Sequence, residues 1–121
     1  MRHYNRVILI GNITHPVDLR RTPAGVSVAD FSIAITERRQ SGAGEWIEET
    51  TFVDVVVWGS SAQYLHRNAG VGSKVLVEGK LKLDEWEKDG EKRSRMKVIS
   101  EQLIVLHTSN KEETPNKKRN T

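Results

Sequence analysis

The chain has 121 residues, 36% of them hydrophobic and 29% charged, which suits a single soluble domain with a modest core. It contains no cysteine, and this excludes disulfides, thiolate nucleophiles and cysteine-ligated zinc or iron–sulfur sites. The net charge is +3, but four basic and two acidic side chains lie beyond residue 107, so the remainder is nearly neutral and basicity alone predicts no partner.

The first half of the sequence predicts three β-strands. Each is rich in β-branched or alternating apolar residues and is bounded by Gly, Pro or Asn, the residues that favour turns. The predicted strands are residues 4–14, 26–39 and 46–58. The connection between the second and third, residues 40–45 (QSGAGE), is predicted to be a flexible hairpin tip because it contains two glycines.

The second half predicts one helix and two further strands. Residues 60–69 form the only predicted helix, with Ser60 or Ser61 as its N-cap. The last two predicted strands are residues 73–83 and 93–106. Between them, residues 84–92 (DEWEKDGEK) are interpreted as a charged hairpin loop whose turn is Asp89-Gly90.

The predicted order of elements is β-β-β-α-β-β, with the single helix between the third and fourth strands. This is the order of an all-β, five-stranded OB-fold barrel, a fold that commonly binds oligonucleotides on the face of its second and third strands. We expect this domain to occupy residues 1–107. Residues 108–121 contain no hydrophobic residue, so they are predicted to be a short disordered tail of polar and basic character.

The third predicted strand has two faces of different chemistry. Alternation places Val53, Val55 and Val57 on one face, which has the composition of a barrel core. The other face carries Phe52, Asp54, Val56 and Trp58. A dry core would not accept a carboxylate without a partner, so this second face is predicted to lie outside, where nucleobases can stack on the rings. The alternative is that the rings pack against another subunit.

Lysines follow one face of the fourth predicted strand. That face carries Lys74, Lys80 and Lys82, and Trp86 joins it if the strand continues into the loop. Arg93, Arg95 and Lys97 begin the next strand, across the Asp89-Gly90 turn, and could extend the same row. Such a row would follow a phosphate backbone and end in a ring for stacking. The alternatives are that the lysines are ordinary solvated edge residues and that Trp86 packs on its own hairpin; Trp46 is interpreted as structural.

No motif predicts catalysis, a cofactor or a metal site. Residues 70–74 (GVGSK) lack the spacing of a phosphate-binding loop, and a strand follows them rather than a helix. The four histidines are scattered without ligand spacing, and the acidic residues of the 84–92 loop lack the pattern of a calcium loop. We therefore expect a binding protein that is not an enzyme and needs no cofactor.

Several sequence blocks lie in the same order and register as in a known family. They are residues 5–12 (NRVILIGN), 18–20 (DLR), 22–25 (TPAG), 28–34 (VADFSIA), 45–52 (EWIEETTF), 57–59 (VWG) and 72–81 (GSKVLVEGKL) with Trp86. Over about residues 3–106 the chain thereby resembles the bacterial-type single-stranded-DNA-binding proteins. The resemblance implies a homotetramer of OB folds that binds single-stranded DNA in replication, recombination and repair.

The resemblance also implies particular contact residues. Stacking positions of the family fall on Phe52, Trp58 and Trp86, and a further aromatic position falls near Arg39. An arginine there can still stack its guanidinium plane on a base and pair with phosphate. The family's acidic C-terminal tip, which recruits replication and repair enzymes, is replaced here by residues 116–121 (NKKRNT), so we do not expect that recruitment.

The beginning of the sequence and its hydropathy bear on location. No apolar run approaches the roughly 18 residues of a membrane span, and the first residues lack the apolar stretch of a signal peptide. We expect a cytoplasmic, nucleoid-associated protein with no membrane partner, or one of an organellar matrix. Two other hypotheses stay open from the residues alone: an OB module that mainly assembles proteins, and an OB-fold component of an enzyme such as a nuclease.

Overall fold

The computed structural model describes residues 2–108, which form six strands and one helix. The elements are β1 (Val7–Ile13), β2 (Asp18–Arg21), β3 (Ser27–Gln40), β4 (Trp46–Trp58), α1 (Ser60–Asn68), β5 (Lys74–Lys88) and β6 (Glu91–His107). Apart from residue 108, the tail predicted at 108–121 lies outside the described residues. Within residues 2–108, no helix has the length and apolar character needed to cross a membrane.

The five longer strands close into a barrel because β1 pairs with both β5 and β3. The sheet order is β1-β5-β6-β4-β3, with the short β2 added beside β3. Neighbouring strands are antiparallel except β4 and β6, which run parallel over two residue pairs, Val55–Val98 and Val56–Ile99. This architecture confirms the predicted all-β OB-fold barrel, with its helix directly after the strand that ends at Trp58.

Two details at the ends of elements differ from the prediction. Asp18–Arg21 pairs with β3 as a short strand, so the helix follows the fourth strand of the observed count rather than the third. The predicted serine N-cap is wrong: Gly59 caps the helix, and no side chain bonds there. Gly59 leaves the strand at a φ of 75°, which glycine tolerates, and its backbone N–H donates to the carbonyl of Ser27 at 2.8 Å.

The β5–β6 hairpin is longer than predicted. Residues 84–88 and 91–92, interpreted from sequence as loop, continue the antiparallel ladder, which leaves Asp89 and Gly90 as a two-residue turn. Their φ angles, 54° and 81°, are the positive values that a type I′ turn requires. The charged composition does not oppose a strand here because this part of the hairpin extends into solvent. Trp86 consequently lies within a strand, directly opposite Arg93.

The barrel interior is packed by alternate residues of the strands and one face of α1. This core comprises Ile13, Ala29, Phe31, Ile33, Val55, Val57, Ala62, Leu65, Ala69, Val75, Val77 and Val98. Gly79 lies at an irregularity of the β5–β6 ladder, where a Cβ would lie 1.8 Å from the backbone oxygen of Ile99. Glycine is therefore required at the point where these two backbones approach closely.

Two hairpins extend beyond the barrel as two-stranded ribbons. The β3–β4 ladder continues to the pair Gln40–Trp46, whereas no third strand joins β3 beyond Ala34 among the described residues. We call residues 36–51 the β3–β4 arm. The β5–β6 ladder likewise continues past the pairing with β1, which ends at Gly79, and residues 80–97 form the β5–β6 arm. Both arms expose most of their side chains.

Candidate nucleic-acid interface

Three aromatic side chains lie in line along β4. Trp46, Phe52 and Trp58 are six residues apart, so strand alternation places all three on one face, about 20 Å from one ring to the next. Their exposed fractions are 62%, 68% and 48%, and none belongs to the barrel core. We call these three residues the aromatic row. Their exposure leaves ring surface free to contact a ligand.

The residues between Phe52 and Trp58 complete this face of β4. Val56 lies outside the core cluster but is only 3% exposed, so neighbouring residues cover this face of β4 at Val56. Asp54 has the partners that its position requires. Its carboxylate accepts a hydrogen bond of 2.7 Å from the Ser32 hydroxyl and lies 3.4 Å from the Arg95 guanidinium.

The predicted lysine row lies along β5. Lys74, Lys80 and Lys82 are all exposed, and none of them forms an ion pair with another of residues 2–108. Because β5 continues to Lys88, Trp86 shares their alternation, as the sequence predicted for a continuing strand. Trp86 and Arg93 line a shallow cleft on the β5–β6 arm.

Strand register joins the two rows into one surface. Val56 pairs with Ile99 in the β4–β6 ladder, and Ile99 pairs with Lys80 in the β5–β6 ladder. Paired residues project to the same side of a sheet, so the aromatic row and the lysines share one outward face. We call it the outer face. It brings together seven of the nine predicted contact residues: Phe52, Trp58, Lys80, Lys82, Trp86, Arg93 and Arg95.

The family model that matches residues 4–106 is that of the single-strand binding protein family. The chain belongs to this family. It is 40% identical over 104 residues to a single-stranded DNA-binding protein of Wolinella succinogenes, and 36% identical over 106 residues to that of Treponema pallidum. These alignments cover 85% and 88% of this chain but 64% and 60% of the two relatives, so the chain spans less than two thirds of their length.

Solved structures show the same barrel. A deletion mutant of the single-stranded DNA binding protein from Thermus aquaticus superposes with a TM-score of 0.76 at 33% identity, covering 86% of this chain and 51% of that one. The Plasmodium falciparum SSB, in complex with ssDNA, superposes with a TM-score of 0.80 at 23% identity, covering 88% and 97%. The second likeness shows the fold alone. The family match confirms the resemblance read from the sequence blocks.

Two predicted contact residues remain. The first, Arg39, does not lie on the outer face. It lies opposite Ile47 in the β3–β4 ladder, and its guanidinium is 3.1 Å from the Glu49 carboxylate, on the reverse side of the arm. The adjacent Arg38 lies on the side of the aromatic row, 5.1 Å from the centroid of the Trp46 ring. A resemblance that places a position only near Arg39 cannot distinguish the two, because one residue reverses the face of a strand.

Lys74, the ninth predicted residue, lies at the other end of β5, six residues or about 20 Å from Lys80. It pairs with Asn12 and His107, away from the arm that carries Trp86. Trp46, interpreted from sequence as structural, is instead exposed, on the same face of β4 as the predicted contacts Phe52 and Trp58. Its spacing of six residues from Phe52 was the signal that would have placed it there.

Many cations of the outer face already have acidic neighbours. Arg20 lies 2.9 Å from Asp30 and Lys97 lies 3.2 Å from Asp84, in addition to the Arg95–Asp54 pair. Exposed ion pairs are typically worth 0–1 kcal/mol, and these three are at least partly exposed, so a phosphate group could replace the carboxylate at little cost. Within residues 2–108 the face therefore offers both lysines without an ion pair and cations whose acidic neighbour a phosphate could replace.

Proposed function

We propose that this protein binds single-stranded DNA on its outer face, with little dependence on base sequence and without catalysing a reaction on it. The carrying observation is the combination, on one continuous surface, of exposed rings from β4 and β5 with Lys80 and Lys82, which form no ion pair within residues 2–108. Bases stack on aromatic rings for about 1–3 kcal/mol each regardless of their identity, while cations follow the backbone. This binding would hold and protect bare strands during replication, recombination and repair.

Selectivity for single strands follows from the same surface. A ring can stack only on a base whose face is free, and in a duplex each base face is covered by its neighbours. The outer face is a twisted sheet rather than a projecting helix, and α1 buries Ala62 and Leu65 against the barrel. Groove reading by an inserted helix, the usual route to duplex binding, has no counterpart on this surface.

The proposal includes self-association into a homotetramer. Ile8 and Ile10 are exposed on β1, next to a strand edge: β1 pairs with β3 only at Asn12 and Ile13, so residues 7–11 have no second strand partner among the described residues. Exposed apolar residues beside an open edge favour pairing with another chain. The family resemblance implies four such subunits, which would place several outer faces on one assembly.

A salt-dependent titration tests the proposed function. Poly(dT) and a duplex of equal length would be added separately while tryptophan emission and the anisotropy of labelled DNA are followed. We expect tight binding and quenching with poly(dT) and weak binding to the duplex. Equal affinity for the two would contradict the proposal, a preference for a protein partner would favour an assembly module, and metal-dependent cleavage of the oligonucleotide would favour an enzyme.

A further inference from the structure

A line of polar side chains crosses the strands of the outer face. Asp84 on β5 lies directly opposite Arg95 on β6. Asp54 on β4 lies directly opposite Ser32 on β3, and the Arg95–Asp54 ion pair joins the two halves of the line. Together with Lys97, these four residues line one cleft of about 400 Å³. Clefts of this size accommodate small ligands, so a single nucleobase can enter it.

The charged groups of this line keep hydrogen-bonding capacity for a ligand. The carboxylate of Asp84 is half exposed, and its single side-chain partner among residues 2–108 is Lys97, which donates to Oδ2 at 3.2 Å. A carboxylate has about four lone-pair sites, so both oxygens can still accept. The Arg95 guanidinium has Asp54 as its single side-chain partner among those residues, which leaves most of its five N–H donors available.

Attraction of phosphate does not explain an acidic residue at this place. Asp84 shares its face of β5 with Lys80 and Lys82, on a surface proposed to bind a polyanion. A carboxylate there repels the DNA backbone. It becomes useful where the bound group is a hydrogen-bond donor. Nucleobases carry such donors on their edges, whereas phosphates accept hydrogen bonds.

A carboxylate beside a guanidinium matches one base better than the others. The Watson–Crick edge of guanine presents two adjacent N–H donors, at N1 and N2, and next to them the acceptor O6. A carboxylate accepts from both donors, and a neighbouring guanidinium donates to O6. Thymine has a single N–H between two acceptors, cytosine has two acceptors beside one amine, and adenine has one acceptor beside one amine. Guanine alone therefore offers a carboxylate two donors in line.

The proposed stacking ring of β5 lies close to these two residues. Trp86 follows Asp84 by two residues on the same face of the strand, about 7 Å away. A base that stacks on the Trp86 ring leaves its edge free for hydrogen bonds with neighbouring side chains. Asp84 and Arg95 lie one pleat repeat from the ring, within reach of that edge.

We infer that Asp84 and Arg95 read the edge of one base and give the bound strand a preference for guanine at that position. This inference rests on the proposed function and deepens it, because stacking and phosphate contacts elsewhere on the outer face accept any base. Asp54 and Lys97 are positioning residues, since Asp54 is paired with Arg95 and Lys97 with Asp84.

Oligonucleotides that differ in one base type test the preference. The probes are an oligo(dT) of about 16 nucleotides and the same strand with isolated guanines, adenines or hypoxanthines, each flanked by thymines. We expect guanine to strengthen binding roughly fivefold or more over thymine, the effect of one good bidentate contact. Hypoxanthine, which lacks the N2 amine, should lose most of that gain. Adenine controls for purine stacking, and equal affinity for the guanine and adenine strands would overturn the inference.

Variants assign the preference to the two residues. Asp84→Asn replaces one acceptor by a donor and should abolish the ratio of guanine to thymine affinity, although the lost negative charge strengthens binding of both strands. Arg95→Lys keeps the charge but loses the planar fork, so it should lower the ratio without changing the salt slope. Glu85→Gln is the matched control, because it removes an equal charge from the adjacent residue on the reverse side of the arm.

The ratio of affinities is the deciding measurement in these variants. Glu85→Gln should leave it as in the unchanged chain. A ratio that Asp84→Asn leaves unchanged would overturn the inference, even if its affinity for every strand rose. Failure of the unchanged chain to bind any of these oligonucleotides would reject the proposed function itself.

Discussion

The guanidinium of Arg95, on β6, lies 3.4 Å from the carboxylate of Asp54, on β4, so this cation already has an acidic partner within the protein. Both residues lie on the outer face, between the rings of Phe52 and Trp86. DNA that contacts Arg95 must displace this carboxylate or share the cation with it. We therefore expect the pair to make binding weaker than it would be with an unpaired arginine.

Asp54→Asn should strengthen binding. The amide oxygen still accepts the hydrogen bond from Ser32, but the negative charge next to Arg95 is lost. Because exposed ion pairs are worth about 0–1 kcal/mol, affinity for oligo(dT) should rise up to about fivefold at low salt. Glu49→Gln is the matched control, since it removes an equal charge paired with Arg39 on the reverse side of the arm. Equal gains in the two variants would show that only total charge matters.

Trp58→Ala and Trp86→Ala should each weaken single-strand binding by about 1–3 kcal/mol, the usual contribution of a stacked base. Both rings lie outside the core cluster, so the thermal unfolding midpoint should change little. Fluorescence anisotropy with labelled oligo(dT) measures the first effect and circular dichroism the second. Unfolding of either variant, with affinity lost only as a consequence, would mean that the ring is needed for packing.

Lys80→Ala and Lys82→Ala should act through salt dependence. Each phosphate contact to a single strand contributes about 0.7 to the slope of log affinity against log salt, so each variant should flatten that slope by about this amount. Arg67→Ala provides a control, because Arg67 is an exposed cation in the last turn of α1, off the outer face. If Arg67→Ala flattened the slope equally, the lysines would be ordinary solvated residues.

Gly79→Ala should destabilise the barrel by roughly 3 kcal/mol or more, because the new Cβ would collide with backbone, which cannot move aside as a flexible side chain does. Gly42→Ala, in the hairpin tip, is the matched control, since nothing lies within 4 Å of a Cβ there. Denaturant midpoints of the two variants measure the difference. Similar midpoints would show that the β5–β6 ladder shifts easily at this irregularity.

Ile10→Glu should reduce the size of the assembly. The substitution places a charge on the exposed apolar side of β1, beside the open edge at residues 7–11. Light scattering of the unchanged protein should give about four times the 13.7 kDa of one chain, and the variant should give less. A monomeric unchanged protein would contradict the homotetramer, and Leu19→Glu, on an exposed position of β2, controls for charge alone.

Much of the architecture could be read from the sequence because alternation along a strand is fixed by the pleat. The contrast between Val55 and Phe52 predicted one buried and one exposed face, and Asp89-Gly90 predicted a tight turn. Contacts between strands distant in sequence could not be read in this way. The Asp54–Arg95 pair depends on the parallel β4–β6 ladder. The burial of Val56, on a face predicted to lie outside, depends on neighbouring residues that cover it in the folded barrel. Both are set by tertiary packing.

The length of each arm can change without repacking of the barrel core. Each arm joins two consecutive strands and ends in a short turn, so inserting one residue on each side of the tip adds about 3.4 Å of length and leaves the barrel untouched. A single such step, however, reverses the faces of all residues between the insertion and the tip relative to the barrel. Lengthening that keeps a ring such as Trp46 on the outer face must therefore proceed by two residues per strand, about 7 Å at a time.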